Sequence, residues 1–170
     1  MRPLAFLAPA AAVIALATVA HAQTQAQTQA QAQAPNVTTT LGPRLQEQIE
    51  DLGPREVQDQ ADRLAEEVRE ALARRNDLNA ATVSLVLTDL KPNRPTLQQL
   101  SDKPGLDRIR SISVGGAAVE GEIVTADGRR LPFAYDRFNT SLAEVYGFTT
   151  WWEADRVFDR VARKIAEGDL

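Results

Sequence analysis

Residues Ile109–Phe138, IRSISVGGAAVEGEIVTADGRRLPFAYDRF, decide the fold class of this chain. From Val119 onward the stretch alternates. Val119 and Ile123 share one parity, while Glu120 and Glu122 share the other. A strand has a side-chain period of two, so this is a half-buried strand with acidic residues on its wet side. Ala126-Asp127-Gly128-Arg129 then signals a reversal, because Asp-Gly suits a type I′ hairpin turn. Leu131–Phe138 is the return strand, and Pro132, which has no N–H to donate, places its start at a sheet edge. Upstream, Ile109–Val114 reads as a further strand, with Ile112 and Val114 at even positions. The change of parity across Gly115-Gly116 requires either a Gly-Gly hairpin, which we favour, or a bulge in one continuous strand.

Working outward, Thr82–Leu90 alternates Val83, Leu85 and Leu87 against Ser84, Val86 and Thr88, and is a strand. Lys91-Pro92-Asn93-Arg94-Pro95 ends it, and Thr96–Ser101 is long enough for one or two helical turns. The connection beyond is long enough to let the strands at 82–90 and 109–114 pair in parallel. Leu41–Arg75 is helical, interrupted at Gly53-Pro54. A short helix near Arg44–Leu52 and a longer one over Pro54–Arg75 follow. The longer one carries an apolar stripe of Val57, Ala61, Leu64, Val68 and Leu72, with Asp59–Arg63 and Glu70–Arg74 spaced as i,i+4 pairs on its wet side. Asn76–Asn79 is a break. At the other end Thr150-Trp151-Trp152-Glu153 has the spacing of a capping box. The helix it opens carries the stripe Trp151, Ala154, Phe158, Val161 and Ile165, and Gly168 stops it. The sum is an α+β domain: a three- or four-stranded antiparallel or mixed sheet with two main helices packed on it, in the order α-α-β-β-β-β-α, or with one strand fewer if the glycines form a bulge.

The N-terminus indicates location. Residues 1–22 combine Arg2, an apolar run from Leu4 to Ala20, and Ala20-His21-Ala22 before Gln23. This is the pattern of a secretory signal peptide cut after Ala22, which implies a periplasmic or secreted protein. The apolar run is shorter than the roughly 20 residues of a membrane span and contains Pro9. Residues 23–36, rich in Gln, Ala and Thr, read as a disordered spacer, so the domain is expected over 37–170.

Composition narrows the chemistry. The chain has no cysteine, and its one histidine, His21, lies in the signal. The mature chain therefore has no Ser-His-Asp or Cys-His catalytic set, no thiolate or imidazole for zinc or haem, and no disulfide. The first 22 residues contain one Arg and no acid, so the 19 basic residues fall to 18 against 23 acidic ones, a net charge of −5. That balance gives no general attraction to nucleic acid, and nothing predicts membrane insertion once the signal is gone. No cofactor or metal site is expected, because the acidic residues lack calcium-loop spacing; unfolding should be indifferent to chelators. Arginine outnumbers lysine 16 to 3, a bias that a GC-rich genome would produce without selection for arginine chemistry.

Gly115–Phe138 (GGAAVEGEIVTADGRRLPFAYDRF), followed by Trp152-Glu153-Ala154 and an amphipathic C-terminal helix, resembles an uncharacterised family of small bacterial envelope lipoproteins, a domain of unknown function. The resemblance covers about a third of the chain and implies an envelope location and an α+β fold. It carries no activity, and the lipid-bearing cysteine of that family is missing here.

All eight aromatics after the signal lie between Phe133 and Phe158: Phe133, Tyr135, Phe138, Tyr146, Phe148, Trp151, Trp152 and Phe158. Most are expected in a core where the last helix covers the final hairpin. Trp152, about 100° around the helix from Trp151, is the aromatic expected at the rim, and Tyr135 is a further candidate with a polar handle. Among the cations after the first strand, Lys91, Arg94, Lys103, Arg108 and Arg110 outnumber Asp102 and Asp107. Trp152, Tyr135, Arg94, Arg108 and Arg110 are therefore the candidate ligand- or partner-binding residues, with no catalytic set. The function expected is a non-enzymatic interaction with another protein or with itself. The alternative is a carboxylate-based hydrolase or sugar-binding protein using Glu120, Glu122, Asp127 or Asp136 in an aromatic hairpin–helix groove. A closed pocket with two convergent carboxylates or arginines would favour that alternative.

Overall fold

The computed structural model describes residues 35–75 and 81–169. The signal, most of the spacer and the break at 76–79 lie outside them. The sheet holds four strands in the order β1-β2-β3-β4: β1 (Asn36–Leu41), β2 (Thr82–Lys91), β3 (Gly116–Val124) and β4 (Arg130–Phe138). The helices are α1 (Pro43–Leu52), α2 (Pro54–Ala73), the short α3 (Leu97–Asp102) and α4 (Trp152–Glu167). The class is α+β with a mixed sheet, as expected. Its order, β-α-α-β-α-β-β-α, differs because one strand forms where none was expected and another fails to form.

The added strand is β1. Val37-Thr38-Thr39-Thr40 is β-branched throughout, a run that favours extended backbone. It begins at Asn36, the last residue assigned to the spacer. β1 pairs with β2 in parallel, and α1 and α2 form the crossover that a parallel pair requires. The missing strand is Ile109–Val114. There the Asp107 carboxylate accepts the backbone N–H groups of Ile109 at 2.8 Å and Arg110 at 2.7 Å. Ser111 N–H returns to the Asp107 carbonyl at 3.0 Å. A side chain that captures its own backbone in this way competes with a ladder. The segment is therefore a turn, and no Gly-Gly hairpin or bulge follows: β3 simply begins at Gly116. The parallel pair expected between 82–90 and 109–114 is absent because 109–114 forms no strand; β2 pairs with β3 in antiparallel fashion, and the parallel pair is β1–β2.

A bulge does exist, between Leu87 and Asp89 of β2. It shifts parity by one, which brings Leu90 onto the same face as Val83, Leu85 and Leu87, opposite Ala117. The β3–β4 hairpin forms where Asp127-Gly128 predicts it, with a different turn. Gly128 N–H donates to the Thr125 carbonyl at 2.8 Å and Thr125 N–H to the Arg129 carbonyl at 3.0 Å. That is a three-residue loop closed by Gly128 at φ 82°. Pro132 lies on β4, an edge strand, as read from the sequence.

One face of the sheet carries Val37, Val83, Leu85, Leu87, Leu90, Ala117, Val119, Ile123 and Phe133, all buried. α2 lies over β1 and α4 over β3 and β4, with the two helices side by side. Both predicted stripes are the buried stripes: Val57, Ala61, Leu64, Val68 and Leu72 on α2, and Trp151, Ala154, Phe158, Val161 and Ile165 at α4. On α2, Glu70–Arg74 pairs at 3.3 Å, whereas Arg63 turns from Asp59 to Glu67 at 3.4 Å and to Asp155 of α4 at 3.3 Å. Gly168 ends α4 in the left-handed conformation, φ 73°. The opposite face of the sheet holds Ser84, Glu120 and Asp136 in solvent, with the start of α1 at its border.

Candidate functional site

The end of the sheet where β2 and β4 finish and β3 and α4 begin is built from two loops, 103–115 and 139–151. Asn93 holds them. It is fully buried, and all its polar groups are used. Its N–H donates to the Thr150 carbonyl at 2.7 Å, and its carbonyl accepts Ser113 N–H at 2.9 Å. Its amide nitrogen donates to Asn139 Oδ1 at 2.9 Å and to the Ser113 carbonyl at 3.3 Å. Its Oδ1 accepts Glu153 N–H at 2.8 Å, which caps the first turn of α4. Thr150 and Glu153 therefore do not form the expected capping box: Trp151 is the N-cap and makes no side-chain cap bond. An amide from a distant loop fills the same need for an acceptor.

Arg94 is the second tie. It is buried, donates from Nη1 to the Ile109 carbonyl and from Nη2 to the Gly147 carbonyl at 3.3 Å, and stacks 5.5 Å from the Phe148 ring. One guanidinium thus binds both loops to each other. Expected to receive a ligand, Arg94 is instead committed to its own chain. Gly147 presses against the Trp152 indole so closely that a Cβ there would overlap the ring.

Held at their backbones, the loops turn apolar side chains outward. Of the eight large apolar side chains exposed among the described residues, seven lie at 106–112 and 142–152. Phe148 is 83% exposed, Tyr146 75%, Ile109 74% and Trp152 37%, joined by Leu106, Ile112 and Leu142. The aromatic core expected around the final hairpin is thus much smaller: only Phe133, Trp151 and Phe158 are buried. Trp152 is at the rim, as its helical phase predicts. Beside this surface a groove of about 410 Å³ runs between α3 and the 103–115 loop, with Pro92, Pro95, Leu106 and Ile112 among its walls and Lys91 and Lys103 as its cations. Arg108 and Arg110 are exposed on the same loop. Tyr135 is elsewhere, half-buried on β4 against the core and bordering a cleft beside α4. The structure gathers Arg94, Arg108, Arg110 and Trp152 at one end and leaves Tyr135 out.

The carboxylates do not join the exposed aromatics of the loop end; Glu120 and Asp136 instead share a depression with Tyr135 and Phe138. Glu120, Glu122 and Asp136 have the parity of the open sheet face, opposite the one under α4. Glu122 pairs with Arg130 at 2.8 Å. Asp127 stays in the turn, where the Thr125 hydroxyl and then the Arg129 guanidinium hold its carboxyl down at about 2. A depression of about 430 Å³ on that face is lined by Arg44, Asp89, Glu120 and Asp136, and it is open rather than closed. Among the described residues no cluster of three or more acidic side chains is arranged to hold a metal ion. No helix among them is long and apolar enough to cross a membrane.

Asn93, the residue most responsible for this end of the molecule, gives only a weak signal in the sequence. Its position between Pro92 and Arg94-Pro95 reads as an ordinary turn.

No family model and no curated protein matches the chain. Among solved structures, one similar chain is described as "a putative lipoprotein from Caulobacter crescentus CB15", at 14% identity over 81% of this chain and 85% of that one, with a TM-score of 0.31.

Proposed function

We propose that this is an exported envelope protein that works by docking another protein on the apolar end surface formed by the 103–115 and 139–151 loops. The observation that carries the reading is the concentration there of seven of the eight exposed large apolar side chains. A contiguous apolar patch is costly to leave in water and is a common mark of an interaction site. Its aromatic content suits a binding hot spot, and Tyr146, Phe148 and Trp152 supply it. The polar ties of Asn93 and Arg94 fix the backbone beneath, so docking carries a reduced ordering cost. Residues 1–22 support the export half of the reading.

A photoactivatable residue at position 148 tests it in cells, with position 50 on α1 as control. The expected result is a discrete crosslinked adduct from 148 and none from 50, lost when Ile109 and Tyr146 are changed to Ser. Equal labelling from both positions, or an adduct that survives the Ser changes, would refute the docking surface. A product retaining residues 1–22 in a membrane fraction would refute cleavage and export.

A further inference from the structure

A second surface has different chemistry. Between β4 and α4 lies a cleft of about 260 Å³ lined by Arg137, Glu153, Arg156, Asp159, Arg160 and Arg163, with Tyr135 at its border. Four guanidinium groups face two carboxylates, an excess of two positive charges on a domain that is otherwise acidic. Arg156, Arg160 and Arg163 fall at i, i+4 and i+7 along α4, which places them on one side of the helix. All three are exposed, and among the described residues none makes a hydrogen bond or ion pair. Like charges at i,i+4 are mutually destabilising unless a counter-charge joins them.

The fourth guanidinium is positioned from below. Glu153 is 1% exposed, and its carboxylate accepts Arg137 Nε at 2.9 Å. Because the buried carboxylate engages Nε, both terminal nitrogens of Arg137 are left for a ligand. Asp159 is drawn in part to α2, where it faces Glu67 and adds to the upward push that burial gives the Glu67 carboxyl. The cleft therefore offers guanidinium donors from two directions, Arg137 on the strand side and the three arginines on the helix side. A planar carboxylate presents one edge to one fork. A tetrahedral, doubly charged phosphate presents oxygens to both sides and matches the excess charge.

We propose that this cleft binds a phosphate group, independently of the apolar end surface. The probes are inorganic pyrophosphate, followed by titration calorimetry on the chain lacking residues 1–22, and vesicles containing phosphatidic acid, a phosphomonoester lipid, followed by co-sedimentation. Binding to either probe is expected to weaken at least tenfold in the Arg156→Gln/Arg160→Gln double variant, and to weaken as sodium chloride rises from 50 to 300 mM. Arg55→Gln, on an exposed part of α2, is expected to leave it unchanged. Because the substituted arginines are exposed, the double variant should keep the melting temperature of the parent, and its crosslinking at position 148 should persist. Binding to pyrophosphate assigns a soluble phosphate compound; binding to vesicles alone assigns a lipid headgroup; both support the site. Absence of binding to either probe, or binding that the double variant retains, overturns it.

Discussion

The helix-covered face of the sheet and the loop end are held by opposite means. Under α2 and α4 the contacts are apolar and periodic, spread over many side chains such as Leu64, Leu85, Val119 and Phe158. At the loop end two polar residues, Asn93 and Arg94, carry the order, and the apolar side chains point outward. The first region is stabilised by what it hides. The second is ordered by buried hydrogen bonds, which leaves Tyr146 and Phe148 mostly in solvent, Phe148 keeping its contact with Arg94. Mutations should therefore act in proportion to volume in one region and to polar valence in the other.

The largest effect is expected from Phe158→Ala, which removes a fully buried aromatic from the core and should cost about 3–5 kcal/mol in chemical denaturation. Trp152→Ala should cost far less, because that side chain is at the rim; equal losses would erase the distinction between the two regions.

Asn93→Asp keeps the volume, replaces the two amide N–H donors by an acceptor oxygen and buries a charge. The new carboxylate oxygen would face Asn139 Oδ1 and the Ser113 carbonyl, both acceptors, so we expect a loss of about 2–4 kcal/mol. Hydrogen exchange should quicken first at 111–115, 139–140 and the start of α4. A uniform loss across the sheet would show that the loop end is not separately held.

A smaller effect of opposite sign belongs to the α2–α4 seam. Burial, and then Asp159, pushes the Glu67 carboxyl above its usual range; burial does the same to Asp155, against the pull of Arg63. The native state thus keeps a proton to higher pH than the unfolded chain, so this contribution to stability falls as pH rises through the raised value. Glu67→Gln should raise the melting temperature at pH 7 by about 1–3 °C, since the exposed pair with Arg63 is worth little. The gain should shrink as pH falls toward the ordinary glutamate range. A gain independent of pH would point to packing instead of charge.

The smallest effect is Phe148→Ser. At 83% exposed it should change stability by no more than about 0.5 kcal/mol, while removing the proposed docking anchor. A large destabilisation would mean that the patch is structural.

The same contrast sets what the sequence discloses. The stripes of α2 and α4, the strand at 82–90, the Asp-Gly reversal and the edge position of Pro132 are readable because local periodicity and turn chemistry decide them. Ile109–Val114 has strand-like residues, yet a single carboxylate two residues upstream, Asp107, diverts its backbone. Val37–Thr40 is β-branched but adjoins a low-complexity run, which hides it. The Leu87–Asp89 bulge has no local signature at all. Of the candidate residues, Trp152 is legible from helical phase. Arg94 is not, since its role depends on two carbonyls 15 and 53 residues away.

The cap on α4 has a meaning for folding. Its first turn is closed by an amide 60 residues earlier in the chain. A peptide of residues 150–169 alone lacks that acceptor, so its N-terminus should fray. In the whole protein the helix reaches its full register only when the turn after β2 has come to rest against it. Ordering of the first helical turn is then coupled to long-range assembly, a coupling worth about 1 kcal/mol, the scale of one cap.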